Sequence, residues 1–137
     1  WSVHNYTQEK DKLIDELKIT EGQEPYRNSR DKKYLAVYEG QPYMLDEFGG
    51  IPWMAATDRN NSWGYGGMPK DEEAFYQRLE GQIDALIASK HVCGFCYTQL
   101  TDVEQEKNGV YYYDRRPKLD MKRIKAIFEK IPSRPAK

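Results

Sequence analysis

Tyr43-Met44-Leu45-Asp46-Glu47-Phe48-Gly49-Gly50 is the stretch on which the fold turns. It follows Pro42, starts apolar and breaks at a glycine pair, the pattern of a short buried strand in a parallel sheet. Glu47 stands at the C-terminal end of that strand, where β/α folds gather their chemistry. The two glycines let the backbone turn sharply and leave the Glu47 side chain free to reach a ligand. Taken alone, the stretch fits a catalytic carboxylate or a solvated glutamate at a strand-to-loop corner, and it favours the second. Asp46, its neighbour on an alternating strand, is expected on the opposite face.

Upstream, Trp1-Ser2-Val3-His4-Asn5-Tyr6 reads as the tail of a strand, an abrupt start that points to a piece of a longer chain. Thr7 is placed to cap a helix over about 8–19, with Leu13, Ile14 and Leu17 inward. Residues 20–32 are polar and read as a loop, and Tyr34 to Tyr38 as a short strand or an irregular extended piece. Beyond Glu47, a long loop over 49–69 carries Trp53, Trp63, Tyr65 and five glycines. Its aromatic content argues against disorder, so it is expected to fold over something. The clearest helix runs from about Asp71 to Ser89, with Phe75, Leu79, Ile83, Leu86 and Ile87 at helical spacing and Asp71 as its cap. Gly81 inside it points to a close approach by a neighbour. A strand over Val92 to Leu100, a turn at Asn108-Gly109 and a short strand over Val110 to Asp114 follow. Asp120 then caps a last helix to about Lys130, with Ile124, Ile127, Phe128 and Ile131 inward, ended by Pro132 and Pro135. Strands alternating with amphipathic helices indicate an α/β fold with a parallel sheet. Three such pairs are too few for a closed barrel of about 250 residues.

Composition excludes several classes of function. The 137 residues carry 21 basic and 22 acidic side chains, net charge -1, so neither a nucleic-acid footprint nor a polybasic membrane patch is present. No apolar run approaches the roughly 20 residues of a membrane span, and no charged-then-apolar leader is visible. Eleven Tyr and three Trp offer flat faces with polar edges, suited to sugars and equally to an ordinary core. Cys93-Gly94-Phe95-Cys96 copies the spacing of a redox motif but lies in a strand rather than opening a helix, so packed thiols are expected and a redox protein is the lesser reading. His4 and His91 lack metal-ligand spacing, and no metal site or cofactor is expected. Asp102, Glu104 and Glu106 would share a face if extended, and loop anchoring is preferred to cation binding, because Lys107 stands where a calcium loop needs glycine.

Three runs carry a family resemblance. They are Leu45-Asp46-Glu47-Phe48-Gly49-Gly50-Ile51-Pro52-Trp53, Ser62-Trp63-Gly64-Tyr65-Gly66, and the segment from Gly94-Phe95-Cys96-Tyr97-Thr98-Gln99-Leu100-Thr101-Asp102 through Asn108-Gly109. Together they resemble glycoside hydrolase family 2, closest to bacterial β-galactosidase-like and β-glucuronidase-like proteins, over nearly the whole chain. The resemblance implies a retaining exo-glycosidase whose catalytic domain is a (β/α)8 TIM barrel. Of that barrel the chain would be the C-terminal part, residues 1–137, from the end of the sixth strand through the eighth helix. It implies Glu47 as the nucleophile and Tyr6 as a tyrosine that hydrogen-bonds it. Asn5 and Tyr97 are implied as substrate-binding residues, Tyr97 standing where relatives often carry Trp; Trp53 and Trp63 are candidate sugar-stacking residues, each as well suited to core packing. The family's acid/base glutamate follows an asparagine, and no Asn-Glu pair occurs here. The expected partners are a carbohydrate substrate, the remainder of the barrel, and further copies of the chain through its open sheet edges. The rival reading is a small α/β module that binds carbohydrate through its aromatic loop without catalysis.

Overall fold

The computed structural model describes residues 1–20, 23–27, 37–55 and 60–130. Six elements alternate along it: β1 (Ser2–Asn5), α1 (Lys10–Glu16), β2 (Tyr43–Gly49), α2 (Glu72–Ala88), β3 (Val92–Thr98) and α3 (Met121–Phe128). The strands form one parallel sheet in the order β1-β2-β3. This is the α/β arrangement expected from the alternation of apolar runs and helical stripes. The apolar face of α2 (Phe75, Leu79, Ile83, Leu86) joins Leu13 and Leu17 near α1 and Ile124 and Ile127 of α3. Together they bury Val3, Leu45 and Phe48 of the sheet, the last two with no exposed surface.

Local chemistry explains most boundaries. The Asp71 side chain accepts the Ala74 N–H at 2.7 Å, and Glu72 and Glu73 follow in the first turn of α2. Asp71→Ala is expected to lower stability by about 1 kcal/mol, read by urea denaturation. Asp120 caps α3 by accepting from the Lys122 and Arg123 N–H groups. Thr7 does not cap α1. Its hydroxyl turns inward to donate to Glu16 Oε2 at 2.7 Å, so the helix starts at Lys10 with Glu9 before it and no side-chain cap. Gly81 meets its expectation, since a Cβ there would stand 3.3 Å from Lys10 Cβ of α1. The strand expected over Val110 to Asp114 is replaced by single bridges of Tyr111 to Thr101 and to Pro117. Of the possible strand over Tyr34 to Tyr38, residues 34–36 lie outside the described residues, as do Ile131, Pro132 and Pro135, and Val37 and Tyr38 are not in a strand.

The register of β2 holds the main departure from the sequence reading. Against β1, Val3 pairs with Leu45 and His4 with Glu47; against β3, Phe95 pairs with Leu45 and Tyr97 with Phe48. One extra residue of β2 is therefore accommodated on both sides, a bulge. Leu45 and Phe48 both stay on the helix-covered face, and Asp46 and Glu47 both project from the other. Asp46 is not on the face opposite Glu47, because the period-two alternation breaks between them. A second shift leaves Cys93 unpaired between Val92 and Gly94. Both cysteines are exposed and free, not packed. Three residues of extended chain separate them by about 10 Å, beyond the roughly 7 Å that a disulfide spans.

Candidate active site

Parallel sheets are ordinarily covered on both faces. Here the second face is open: Ser2, His4 and Cys96 are exposed, and Met44, Asp46 and Glu47 retain about two-fifths of their surface. At its C-terminal end five polar side chains converge, four from the three strands and Tyr6 from just past β1. The Tyr6 hydroxyl donates a short hydrogen bond to Glu47 Oε2. Thr98 Oγ1 lies 3.4 Å from the Tyr6 oxygen. His4 Nδ1 stands 3.1 Å from the same Glu47 Oε2, and His4 Nε2 stands 3.7 Å from Asp46 Oδ1. Among the described residues no hydrogen bond falls on Glu47 Oε1, so one carboxylate oxygen is held and the other is free.

The backbone fixes Tyr6 from several directions. Gln8 Nε2 donates to the Tyr6 carbonyl at 2.8 Å and to the Gly49 carbonyl at 2.7 Å, tying the ends of β1 and β2 together. Gln82 of α2 donates to the Thr7 carbonyl at 2.9 Å. The Tyr6 ring stacks on Tyr65 with centroids 3.4 Å apart and planes 4° from parallel. Gly50, at φ +59°, lies against both rings: a Cβ there would sit 2.3 Å from Tyr65 and 3.0 Å from Tyr6. Burial, followed by the hydrogen bond to Glu47, pushes the Tyr6 phenol well above its ordinary value of 10.0. Tyr6 is therefore a neutral donor at any ordinary pH. Burial raises Tyr43 and Tyr97 in the same direction. A phenol raised in the folded state leaves stability intact below its unfolded value and lowers it as pH climbs past that value. Stability should be flat with respect to these three groups up to pH 10 and fall above it. Ultraviolet tyrosinate titration should show them ionising only together with unfolding.

The loops after β2 and β3 build a joint rim beside this cluster. Trp63 takes two backbone bonds from the facing loop: its N–H donates to the Gln105 carbonyl and its carbonyl accepts the Lys107 N–H, each 2.9 Å. Trp63 keeps half its surface exposed and meets Tyr65 edge-on at 5.8 Å. Beneath the rim lies a buried ion pair. Lys118 Nζ, with no exposed surface, donates to Asp102 Oδ1 at 2.5 Å, to the Trp53 carbonyl at 2.6 Å and to the Lys107 carbonyl at 3.3 Å. Asp102 Oδ1 also accepts the Gly109 N–H at 3.0 Å. Asp102 is thus the loop anchor, and the supposed trio does not share a face. Glu104 is exposed at a tight turn, and Glu106 accepts from Asn108 Nδ2 at 3.0 Å. Among the described residues no group of three or more His, Cys, Asp or Glu is placed to hold a metal.

Of the residues implied by the sequence, Glu47 and Tyr6 are brought together, and Trp63 stands on the rim nearby. Asn5 is buried on the helix-covered face, where Nδ2 donates to Glu16 Oε2 at 2.9 Å and Oδ1 accepts from Thr7 N–H. Trp53 packs on Phe75 of α2. Tyr97 packs between Phe48 and Phe128, so its ring lies on the helix side of the sheet rather than beside Glu47. His4, Tyr65, Thr98 and Lys118 were missed. His4 had one usable signal, its i, i+2 relation to Tyr6 on a strand; Lys118 had none. No protein-family model matches the chain, and no curated protein matches it.

Proposed function

We propose that the chain is part of the catalytic barrel of a retaining, β-galactosidase-like exo-glycosidase, with Glu47 as its nucleophile. The observation that carries the reading is Glu47 at the C-terminal end of the central strand, one oxygen held by the Tyr6 hydroxyl and the other free. In that role Oε1 attacks the anomeric carbon of a terminal β-glycoside. The bond to the aglycone oxygen breaks with its electron pair, and that oxygen takes a proton from an acid. Water then displaces Glu47 from the glycosyl-enzyme, giving the sugar with its configuration retained. The chain holds no Asn-Glu pair to supply the acid. The open face of the sheet and the strands β1 and β3, each paired on one side only among the described residues, support the remainder of a barrel as the partner that covers this face. Where that partner is lacking, copies of the chain should associate through the same edges.

Two substrates separate the parts of this reading. With unactivated β-linked disaccharides the 137-residue chain should show no turnover, because it holds no Asn-Glu pair to protonate the leaving oxygen. With a 2,4-dinitrophenyl 2-deoxy-2-fluoro-β-galactoside, whose leaving group needs no proton, intact-mass measurement should show one sugar adduct per chain. Ordinary disaccharide turnover, or a chain that stays unlabelled, contradicts the proposal. A non-catalytic sugar-binding module remains the second reading, favoured by the half-exposed Trp63 on the rim. Its sugar binding would survive Glu47→Gln, whereas covalent trapping would not.

A further inference from the structure

The bulge in β2 creates a problem that His4 is placed to answer. It puts Asp46 and Glu47, adjacent in sequence, on one face of the sheet. Two neighbouring carboxylates repel each other, and a rotating Glu47 would present either oxygen to a substrate. The His4 ring stands against both: Nδ1 is 3.1 Å from Glu47 Oε2 and Nε2 is 3.7 Å from Asp46 Oδ1. That Asp46 oxygen is sealed from solvent and has no hydrogen-bond partner among the described residues, and the His4 ring edge faces it. Tyr6 reaches the same Oε2 from its own position two residues along β1 and just beyond it. Two groups therefore converge on one oxygen of Glu47.

We propose that His4 is a positioning residue for Glu47, which with Tyr6 pins Oε2 so that Oε1 alone faces the anomeric carbon, and which stands between the Asp46 and Glu47 carboxylates. The inference rests on Glu47 being the nucleophile. His4 is not itself the missing acid: its Nδ1 contacts the nucleophile's own oxygen, not the far side of a glycosidic bond, where a proton donor for the leaving group must stand.

Two measurements on the intact chain test the proposal, one of them independent of sugar chemistry. The chain has two histidines, and His91 is exposed and far along the sequence, so it serves as an internal control. In nitrogen-15 NMR of the labelled protein, Glu47→Gln should shift the ring nitrogens of His4 and leave those of His91 in place. In trapping by the dinitrophenyl fluorogalactoside, His4→Ala should lower the limiting rate of inactivation about tenfold, the order lost with one close polar contact to a charged group. The concentration for half-maximal rate should change less than about twofold if the role is orientation rather than binding. His4→Asn, which keeps an N–H near the place of Nδ1, should recover most of the lost rate. An unshifted His4 in Glu47→Gln overturns the contact itself. Trapping of His4→Ala at the unsubstituted rate, or a His4→Asn no better than alanine, overturns the positioning role. A chain that is never labelled, with the His4 shift present, overturns instead the nucleophile reading on which the catalytic meaning of His4 depends.

Discussion

Lys118→Met should unfold the rim and cost about 3–5 kcal/mol, the range for breaking a buried ion pair by removing one partner. The loss is large because at least three acceptors share one ammonium. Asp102 Oδ1, the Trp53 carbonyl and the Lys107 carbonyl would all lose their donor. Asp102 would be left almost fully buried without its counter-ion, with Oδ2 already lacking a hydrogen bond among the described residues. Nor does the loop have room to rearrange: a Cβ at Gly109 would lie 2.3 Å from the Asp102 nitrogen, so the chain crosses itself there at backbone contact. Calorimetry should show a midpoint lower by roughly 10 °C or more in a protein of this size. The double variant Lys118→Met/Asp102→Leu, which removes both charges, should recover part of the loss. A single variant as stable as the unsubstituted chain would show that the rim is held by something other than this pair.

Gly50→Ala should be nearly as damaging, and its main effect should be on trapping rather than folding. Gly50 combines φ +59° with two aromatic rings at its Cα, and an alanine Cβ would overlap Tyr65 at 2.3 Å and crowd Tyr6 at 3.0 Å. The left-handed conformation alone costs about 1–2 kcal/mol with a Cβ present. Relief of the overlap must push the Tyr6–Tyr65 stack away from the sheet, taking the Tyr6 hydroxyl off Glu47. Misplacement of a catalytic group by about 1 Å can lower a rate on the order of 100-fold. The rate of fluorosugar trapping should fall by that order while far-ultraviolet circular dichroism still reports the α/β fold. Gly40, also at positive φ but with nothing within 4 Å of its Cβ position, is the control: Gly40→Ala should carry the conformational cost without the loss of trapping.

The parts of this structure that depend on local pattern were legible in the sequence, and those that depend on register or tertiary pairing were not. Asp71 and the stripe from Phe75 to Leu86 announce α2 because capping and helical period are properties of a single segment. The strand ending at Glu47 is likewise marked by its own apolar residues and glycines. The bulge between Leu45 and Phe48 leaves no such mark, since it exists only in how β2 lies against β1 and β3. That one irregularity places Asp46 beside Glu47, and a similar shift at Cys93 accompanies two exposed thiols where packed ones were expected. Asn5 and Tyr97 follow the same logic. Their registers, opposite or beside Phe48, put them on the helix-covered face. Lys118 was illegible for a different reason. A lone lysine reads as surface until three acceptors from distant segments are brought around it.

Peptide mapping of the chain after reaction with the dinitrophenyl fluorogalactoside decides whether Glu47 is the group that bonds to sugar. The fluorosugar should be found as an ester on Glu47 in the fragment spanning Tyr43 to Gly50, and Glu47→Gln should carry no label. An adduct on Asp46, on a residue outside this fragment, or undiminished in Glu47→Gln would contradict the account.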